Sequence, residues 1–524
     1  MCKLEYYALM PKGEGRKVVL TASAGEMSDY KLNPFLAFLG SFPKTVFPLW
    51  MLRKYWYPPL ETNSDRTAKY APYGLRKVEA ALLDNGFDES DIATAHPRDL
   101  DSFVGKETKV IGVSTMDPLG IGYVSLTYSS LIGGEPINAI EFRKLMENEC
   151  FGRRHVKTIV GGSGAWQLGY ESTRNRFPID CVVIGEGEKA VPELFWKAIK
   201  GEKLPSVVHS NTSKNEKIPT IKNPAIYGCV EISRGCGRNC QFCSPTMRHR
   251  RFFSLSKIMK EVEVNVKGGS EMIILNTEDF LLYKAENKDF MPNREAVLKL
   301  FERVASYPGV RFIQPAHMSL APVVLDRVLI RELSEILIEF SWTKDNGKPY
   351  VTAETGIETG SARLIREYMA GKPLPFKPED WPDLVVESLG VLNDNRWFPL
   401  ATLLLGLPRE TEEDTIKTLE LVDDLHKYKV FFVPLLFLPL KECFLGDKRR
   451  ADLRLFSGAQ KELFARCWEH NARVWGASLL KRKATRFPLM WSMAFLYCAY
   501  YRWTSRKDFF HWLILRLYQA DRSY

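Results

Sequence analysis

The 524-residue chain has no apolar run long enough to cross a bilayer. Its most apolar stretch, Phe487 to Tyr501, is shorter than the roughly 20 residues a spanning helix needs, and basic residues bracket it. It reads as a helix packed on the body of the protein, with a membrane surface as the alternative seat for its aromatics. The opening residues, Met1 to Lys17, are polar and charged, so no secretory leader is expected. Internal repeats and low-complexity tracts are absent. So is a disulfide framework. Of ten cysteines, seven stand singly, at Cys2, Cys150, Cys181, Cys229, Cys443, Cys467 and Cys498. Most of these sit in apolar surroundings and read as buried thiols, which predicts a reducing, cytoplasmic setting. A net charge of +10 is modest for this size and is no nucleic-acid signature, so no nucleic-acid partner is expected. The balance of 45% hydrophobic and 26% charged residues is that of an ordinary globular protein, and the length predicts two or three domains.

The remaining cysteines, Cys236, Cys240 and Cys243, stand together as C-x3-C-x2-C. Three thiolates packed this tightly suit three irons of a cubane cluster and leave the fourth iron open. A closed structural zinc site asks for four ligands, usually in two separated pairs. Cys229, seven residues upstream, is the candidate fourth ligand for such a closed site. Gly235, Gly237 and Asn239 make the segment a loop.

This spacing, with an aromatic residue (Phe242) just before the last cysteine, resembles the signature of radical S-adenosylmethionine (SAM) enzymes. The resemblance implies that SAM chelates the open iron and is cleaved there to an adenosyl radical, with the electron coming from an external donor.

Upstream, from about residue 16 to 200, apolar strands alternate with helical stretches. Lys17 to Thr21, Lys109 to Thr115, Val156 to Val160 and Cys181 to Ile184 read as strands, and Tyr73 to Leu83 as a helix ending at Asn85 and Gly86. Three of the strands run into hydroxyl-rich or glycine-rich loops: Ser114-Thr115, Gly161 to Gly164, and Gly185 to Glu188. Such an order suits a doubly wound parallel sheet that binds ligand at the carboxyl ends of its strands. It resembles the cobalamin-binding domain that precedes many radical SAM domains. That likeness implies a corrinoid lined by Ser114, Thr115, Met116, Asp117, Leu119, Gly161, Gly162, Ser163, Gly185, Glu186, Gly187 and Glu188. Glu186 and Glu188 also suit capping of the helix that starts at Ala190. The Asp-x-His-x-x-Gly motif that puts a histidine under cobalt is absent, and the loop Met116 to Gly120 is the candidate cover for the lower cobalt face. A long insert from Ala22 to Ala71, rich in aromatics and proline, reads as an irregular packed cap.

Downstream, helix and strand alternate again. Phe253 to Lys267 reads as a helix with Ser254 as its cap, and Met272 to Asn276, Arg311 to Pro315, Tyr350 to Gly360, Leu400 to Pro408 and Val430 to Leu438 read as strands. Polar residues cluster at the strand ends, as in a barrel or partial barrel. Gly356 to Ser361 and Gly406 to Thr411 resemble two radical SAM segments. They imply that Phe242, Glu278, Asp279, Gln314, Glu358, Thr359 and Leu407 surround SAM. His317 is either an acid–base group or a core histidine, and the core reading is preferred. Residues 441–524 show no strand pattern and read as helices, with Trp468 and Trp475 among their aromatics.

The expected architecture is therefore α/β. Residues 1–215 form a Rossmann-like cobalamin domain, 216–440 a partial (β/α)6 radical SAM barrel, and 441–524 a helical domain. By resemblance the chain is a monomeric, cobalamin-dependent radical SAM methyltransferase of an unactivated carbon, using a 4Fe-4S cluster, SAM and methylcobalamin. Its whole-chain pattern is similar to enzymes of methanogenic archaea that methylate a glutamine of methyl-coenzyme M reductase, which implies a protein or peptide substrate. Lipid methylation and tetrapyrrole cyclisation are the rival chemistries. A cobalamin- and cluster-binding sensor is the non-enzymatic alternative.

Overall fold

The computed structural model describes residues 13–481, apart from 45–47, 213, 245–246, 248 and 286–289, with side chains to residue 475. The run Phe487 to Tyr501 therefore lies outside the described residues. The chain divides into two compact units: Met1–Ser125 with Gly134–Val230 and Lys260–Ser270, and Leu126–Gly133 with Glu231–Met259 and Glu271–Tyr524.

The first unit is built on β1 (Val18–Ala22), β2 (Ile92–Thr94), β3 (Val110–Ser114), β4 (Lys157–Gly161), β5 (Cys181–Gly185) and β6 (Val207–Ser210). They lie in the order β2-β1-β3-β4-β5-β6, with every pairing parallel. The helices are α1 (Leu49–Tyr55), α2 (Tyr73–Asp84), α3 (Tyr123–Ile132), α4 (Ile137–Met146), α5 (Glu171–Arg174) and α6 (Ala190–Ile199). A parallel sheet needs cover on both faces, and alternation along the strands supplies it. Val18, Leu20, Val110, Ile159 and Val183 join a buried cluster with Leu75 and Leu82 of α2 and Phe195 of α6. Val19, Ile111, Val113, Val160 and Val182 join a second cluster with Phe142 and Leu145 of α4. Each such side chain stabilises the fold by roughly 1.5–3 kcal/mol. The strands β2 and β6 were not legible as strands. They are three and four residues long, at the two edges of the sheet, too short to show a period.

The insert is a packed cap, as expected. Tyr30, Leu52 and Tyr57 are buried together with Ile137, and Asn33 caps a 3-10 turn that opens with Pro34.

The second unit carries β8 (Ser233–Arg234) and β9 (Arg251–Phe252), paired antiparallel around the cysteine loop. Its barrel wall is made of β7 (Cys229–Glu231), β10 (Met272–Asn276), β11 (Phe312–Pro315), β14 (Glu354–Glu358), β15 (Leu400–Leu405) and β16 (Phe431–Leu436). The order is β11-β10-β7 and β14-β15-β16. A parallel bridge between His317 and Glu354 joins the two halves, which gives the partial six-stranded barrel that the strand–helix repeats predict. A small hairpin, β12 (Lys344–Asp345) and β13 (Lys348–Pro349), projects between them in sequence. Helix α7 (Leu255–Lys267) is shared between the units. It is followed by α8 (Arg294–Ala305), α9 (Ala321–Leu325), α10 (Arg327–Glu339), α11 (Ala362–Tyr368), α12 (Trp381–Asp394), α13 (Glu412–Asp424) and α14 (Gly458–Lys481). Thr411 and Asp414 form a capping box on α13. The described part of the tail is a run of turns over 441–457 followed by the helix Gly458–Lys481. Trp468 meets Tyr128 edge-on, with ring centroids 6.2 Å apart, and no described helix is long and apolar enough to cross a membrane.

Within the first unit, Lys77 on α2 and Glu261 on α7 form a buried ion pair at 2.5 Å, with side chains 3% and 2% exposed. Tyr73 donates to the second Glu261 oxygen at 2.7 Å, and Lys77 also donates to the Pro219 carbonyl at 2.7 Å. Removing one member of such a pair strands the other charge. Glu261→Ala is expected to lower stability by about 3–5 kcal/mol, read as a drop in the urea unfolding midpoint. An unchanged midpoint would show that the pair contributes nothing.

Candidate active site

The cysteine loop owes its shape to residues that accept left-handed backbone. Gly235 and Gly237 have φ of 76° and Asn239 has φ of 56°. The N–H groups of Cys236 and Gly237 both donate to the Met247 carbonyl, at 3.1 and 3.0 Å. Gln241 ties the loop to α11. Its N–H reaches the Tyr368 carbonyl at 2.8 Å, and its side-chain amide reaches the Glu367 carbonyl at 2.6 Å.

Two buried cations stand behind the thiols, and sequence inspection missed both. Arg238 lies inside the cysteine motif and is 5% exposed. Its guanidinium donates to the carbonyls of Gly371, Lys372 and Leu374 at 3.0, 2.8 and 3.2 Å and to the Ser319 hydroxyl at 3.0 Å. It also lies 4.5 Å from the Phe290 ring centroid. Gly371 has to be glycine, because a Cβ there would stand 2.1 Å from the Arg238 carbonyl oxygen. Lys372 reaches Glu358 at 3.1 Å. Burial opposes the charge on Lys372, but the Glu358 carboxylate and the nearby Cys240 outweigh it and hold the ammonium above the usual lysine range. A hydrogen bond from Cys243 lowers the Cys240 thiol and raises that of Cys243. Lys372 and Arg238 add to the lowering of Cys240. Burial raises Cys236.

Glu358 adopts φ of 66° at a bulge between β14 and β15. A side chain other than glycine held there is strained, and such strain persists only where the surroundings enforce it. Gly356 makes room for it. A Cβ at that position would lie 2.0 Å from Glu358 Oε1 and 2.8 Å from Lys372 Nζ.

The other expected SAM residues divide into two groups. Phe242 and Leu407 are buried, at 9% and 3% exposure. Glu278 is half-buried beside His317, and burial raises its carboxyl. Asp279 is buried, accepts from Ser319, and keeps one carboxylate oxygen without a hydrogen-bond partner. Gln314 and Thr359, by contrast, are committed to the scaffold. The Gln314 amide donates to the carbonyls of Pro315 and Thr352 and accepts from Trp342. The Thr359 hydroxyl bonds Thr418 at 3.0 Å and accepts the Ser361 N–H at 3.1 Å. Glu410, in the turn after β15, folds back onto the N–H groups of Gly406 and Leu407 at 2.5 and 3.0 Å and braces that turn.

His317 is not a core histidine. Its side chain is 47% exposed, and it sits between two acceptors: the Thr277 carbonyl, 3.1 Å from Nδ1, and Glu354 Oε2, 3.0 Å from Nε2. Both ring nitrogens therefore carry hydrogen. Burial of the ring works against the charge, but Glu354 and Glu278 push the pKa up to about 9.

In the first unit, the loops after β3 and β4 meet backbone to backbone, while Gly185 at the end of β5 lies against the Ser210 backbone of β6. The Thr115 N–H reaches the Gly161 carbonyl at 2.9 Å, and the Gly164 N–H reaches that of Thr115 at 2.9 Å. A Cβ on Gly162, whose φ is 97°, would lie 2.5 Å from the Thr115 carbonyl oxygen. Ser114 and Gly161 end β3 and β4. Met116, Ser163 and Gly185 are exposed at the carboxyl edge, while Glu186, Gly187 and Glu188 are half-buried. The Thr115 hydroxyl is buried without a partner. Asp117 is buried and saturated. It accepts from Ile121 and Gly122 N–H at 3.0 and 2.9 Å, from Gln167 at 2.7 Å and from Ser125. The Leu119 N–H reaches Gln167 at 2.8 Å. An exposed, glycine-lined edge with an orphaned hydroxyl fits a broad flat ligand held largely by backbone. In the second unit, three thiols beside two cations fit an anionic cluster. Among the described residues no three His, Cys, Asp or Glu side chains converge on a single-ion position, whereas a cubane spreads its thiolates over separate irons.

Residues 230–422 match the family model of the radical SAM superfamily. That stretch, almost all of it in the second unit, is what the chain shares with the superfamily. Among curated relatives, the tRNA-2-methylthio-N(6)-dimethylallyladenosine synthase of Fusobacterium nucleatum is 26% identical over 277 residues, which is 51% of this chain and 57% of the relative. The ribosomal protein uS12 methylthiotransferase RimO of Thermotoga maritima is 27% identical over 265 residues, 49% of this chain and 54% of the relative. The chain thus spans little more than half the length of these relatives. Among solved structures, the radical SAM methyltransferase TsrM from Kitasatospora setae, with cobalamin and a [4Fe-4S] cluster bound, aligns with a TM-score of 0.53 at 14% identity. The alignment covers 82% of this chain and 74% of TsrM. The same enzyme with tryptophan and a SAM analog aligns with a TM-score of 0.52. These alignments show a likeness of fold over most of the chain.

His317 gives a pH dependence that can be measured. Its raised pKa means that the Glu354 contact stabilises the fold fully below about 6.5, the usual histidine value, and that this contribution is lost as pH rises through about 9. Because the ring is half exposed, the effect is expected to stay below about 1 kcal/mol. The stability difference between wild type and His317→Asn should shrink between pH 6.5 and 9. A difference that grows with pH would exclude the charged pair.

Proposed function

We propose that the chain is a cobalamin-dependent radical SAM methyltransferase. One observation carries the reading. A single chain holds both a cysteine loop backed by buried cations in a partial barrel and a doubly wound unit with glycine-backed loops on three adjacent strand ends. Likeness of fold to TsrM over both regions supports it. We assign residues 1–215 to corrinoid binding, 216–440 to the radical SAM barrel and 441–524 to a helical closure. Cys236, Cys240 and Cys243 would hold the 4Fe-4S cluster. When bound, the cluster with SAM supplies an adenosyl radical, and the corrinoid supplies the methyl group.

The chain's own residues do the positioning. Arg238 and Lys372 offset the charge of three thiolates. Glu358, held by Lys372 at 3.1 Å and by the Thr402 hydroxyl at 3.4 Å, would offer its carboxylate to the polar groups of SAM. Phe242 and Leu407 supply apolar walls, and Glu278 and Asp279 acidic ones. Gln314 and Thr359 would shape that wall through the scaffold. Ser114 to Asp117, Leu119, Gly161 to Ser163 and Gly185 to Glu188 would line the corrinoid, with Met116 an exposed side chain among them and Asp117 holding the loop. Asp117 is committed to its own loop: three donors converge on Oδ1 and the Ser125 hydroxyl on Oδ2.

For the substrate we propose the alpha carbon of a glutamine in a protein, with methyl-coenzyme M reductase as the candidate target. The support is the similarity of the whole-chain pattern, and the setting is the cytoplasm of a methanogen with an external electron donor. The second reading is methylthio transfer, favoured by the relatives aligned over about half of the chain.

Anaerobic reconstitution with iron, sulfide, SAM, methylcobalamin and reductant tests the reading. Formation of 5'-deoxyadenosine and a peptide mass gain of one methyl are expected. A gain of one methylthio group would favour the second reading, and no SAM cleavage at all would exclude both. Cys240→Ala should abolish the roughly 400 nm cluster absorbance, while Cys229→Ser should leave it intact. Loss of the cluster in Cys229→Ser would make the site closed and four-liganded.

A further inference from the structure

The first unit also holds a cavity that the corrinoid loops do not line. It measures about 450 Å³ and is lined by the insert, the turn after β2 and helix α4. None of its lining residues belongs to the loops after β3, β4 or β5. Its volume is within the range of small-molecule sites.

The polar atoms around it are unbalanced. Glu141, whose side chain is 1% exposed, is saturated. Arg53 binds it through Nε at 2.9 Å and Nη2 at 2.5 Å, and the Tyr57 hydroxyl donates to it at 2.9 Å. Glu147 pairs with Arg143 at 3.8 Å. The buried acceptor is thus engaged, Glu147 faces solvent with its side chain 64% exposed, and the donors are largely not engaged. Lys144 makes no hydrogen bond or ion pair among the described residues and is exposed. Arg98 gives only its Nε to Asp99, at 3.0 Å, which leaves the outer edge of its guanidinium. The Asn148 oxygen accepts the Cys150 N–H at 2.8 Å, which leaves the amide hydrogens.

His96 is the decisive member. It is 8% exposed. Its Nδ1 accepts the Arg98 N–H at 3.2 Å, capping the turn after β2, so the ring proton sits on Nε2. That buried donor has no partner. A neutral imidazole N–H, an ammonium, a guanidinium edge and an amide, with the buried Glu141 already paired to Arg53, form a donor set for an oxyanion.

We propose that this cavity binds a small oxyanion, a phosphate or carboxylate group, held by His96 Nε2, Lys144, Arg98 and Asn148. Titration calorimetry on the full-length protein, with inorganic phosphate and separately with succinate, tests it. Saturable binding of at least one is expected, and the one that binds fixes the group. Lys144→Glu should weaken it at least about tenfold and Arg98→Ala several-fold. Both residues are exposed, so the thermal midpoint should not move. Lys348→Glu, in the hairpin β12–β13, should change nothing. With histidines labelled by nitrogen-15, the ligand should shift the ring signal that His96→Gln removes. Equal affinity in wild type and Lys144→Glu, no saturable binding of either anion, or an unmoved His96 signal would each overturn the site.

Discussion

A guanidinium with almost no contact with water ties the cysteine loop to the barrel. Arg238 gathers three carbonyls from the segment that begins at Gly371, a hydroxyl from Ser319 and the face of Phe290. Each bond from a charged donor contributes on the order of 1.5–3 kcal/mol, and none survives if the loop lifts. The same segment carries Lys372, whose ammonium pairs with Glu358. One fixed cation therefore sets the position of the second, the second sets the carboxylate, and the thiols lie among all three. Arginine suits the task because its rigid fork serves several carbonyls at once and keeps its charge when buried.

The first unit solves a different problem by different means. Its loops are held by backbone and by the absence of side chains. Gly162 and Gly164 let the loop after β4 close on Thr115 and Met116, and Asp117 accepts two N–H groups of its own loop together with Gln167 and Ser125. An edge made this way offers shape without strong ligating groups, which is suitable for a large cofactor whose reactive atom must stay exchangeable.

Legibility followed the range of the interactions. The cysteine spacing, the strand-end glycines and the helix caps at Ser361 and Thr411 are local, and the sequence displays them directly. The central strands of both sheets announced themselves by continuous apolar runs, whereas β2 and β6 are too short to show a period. Glu358 stood out by its motif, but its partner Lys372 lies 14 residues on and is brought back only by the turn through Gly371. Arg238 was hidden in plain view, since nothing in C-x3-C marks which intervening residue turns inward. Gln314 and Thr359 sit at the expected places but answer to Trp342 and Thr418, partners that no spacing reveals. His317 was misjudged because Glu354, across a barrel seam, is 37 residues away.

The division of the chain has a consequence for how the protein comes into being. Helix α7 is split at residue 260, and its second half belongs with the first unit, where Glu261 meets Lys77. A nascent chain emerging in order displays the whole doubly wound sheet by residue 210, yet the partner that neutralises Lys77 has not been made. Closure waits for another turn of synthesis, by which time the cysteine loop has also left the ribosome. The two halves of the molecule are therefore bound in time: Lys77 and its counter-charge lie 184 residues apart, so the first unit's buried pair can form only after the start of the second has been made.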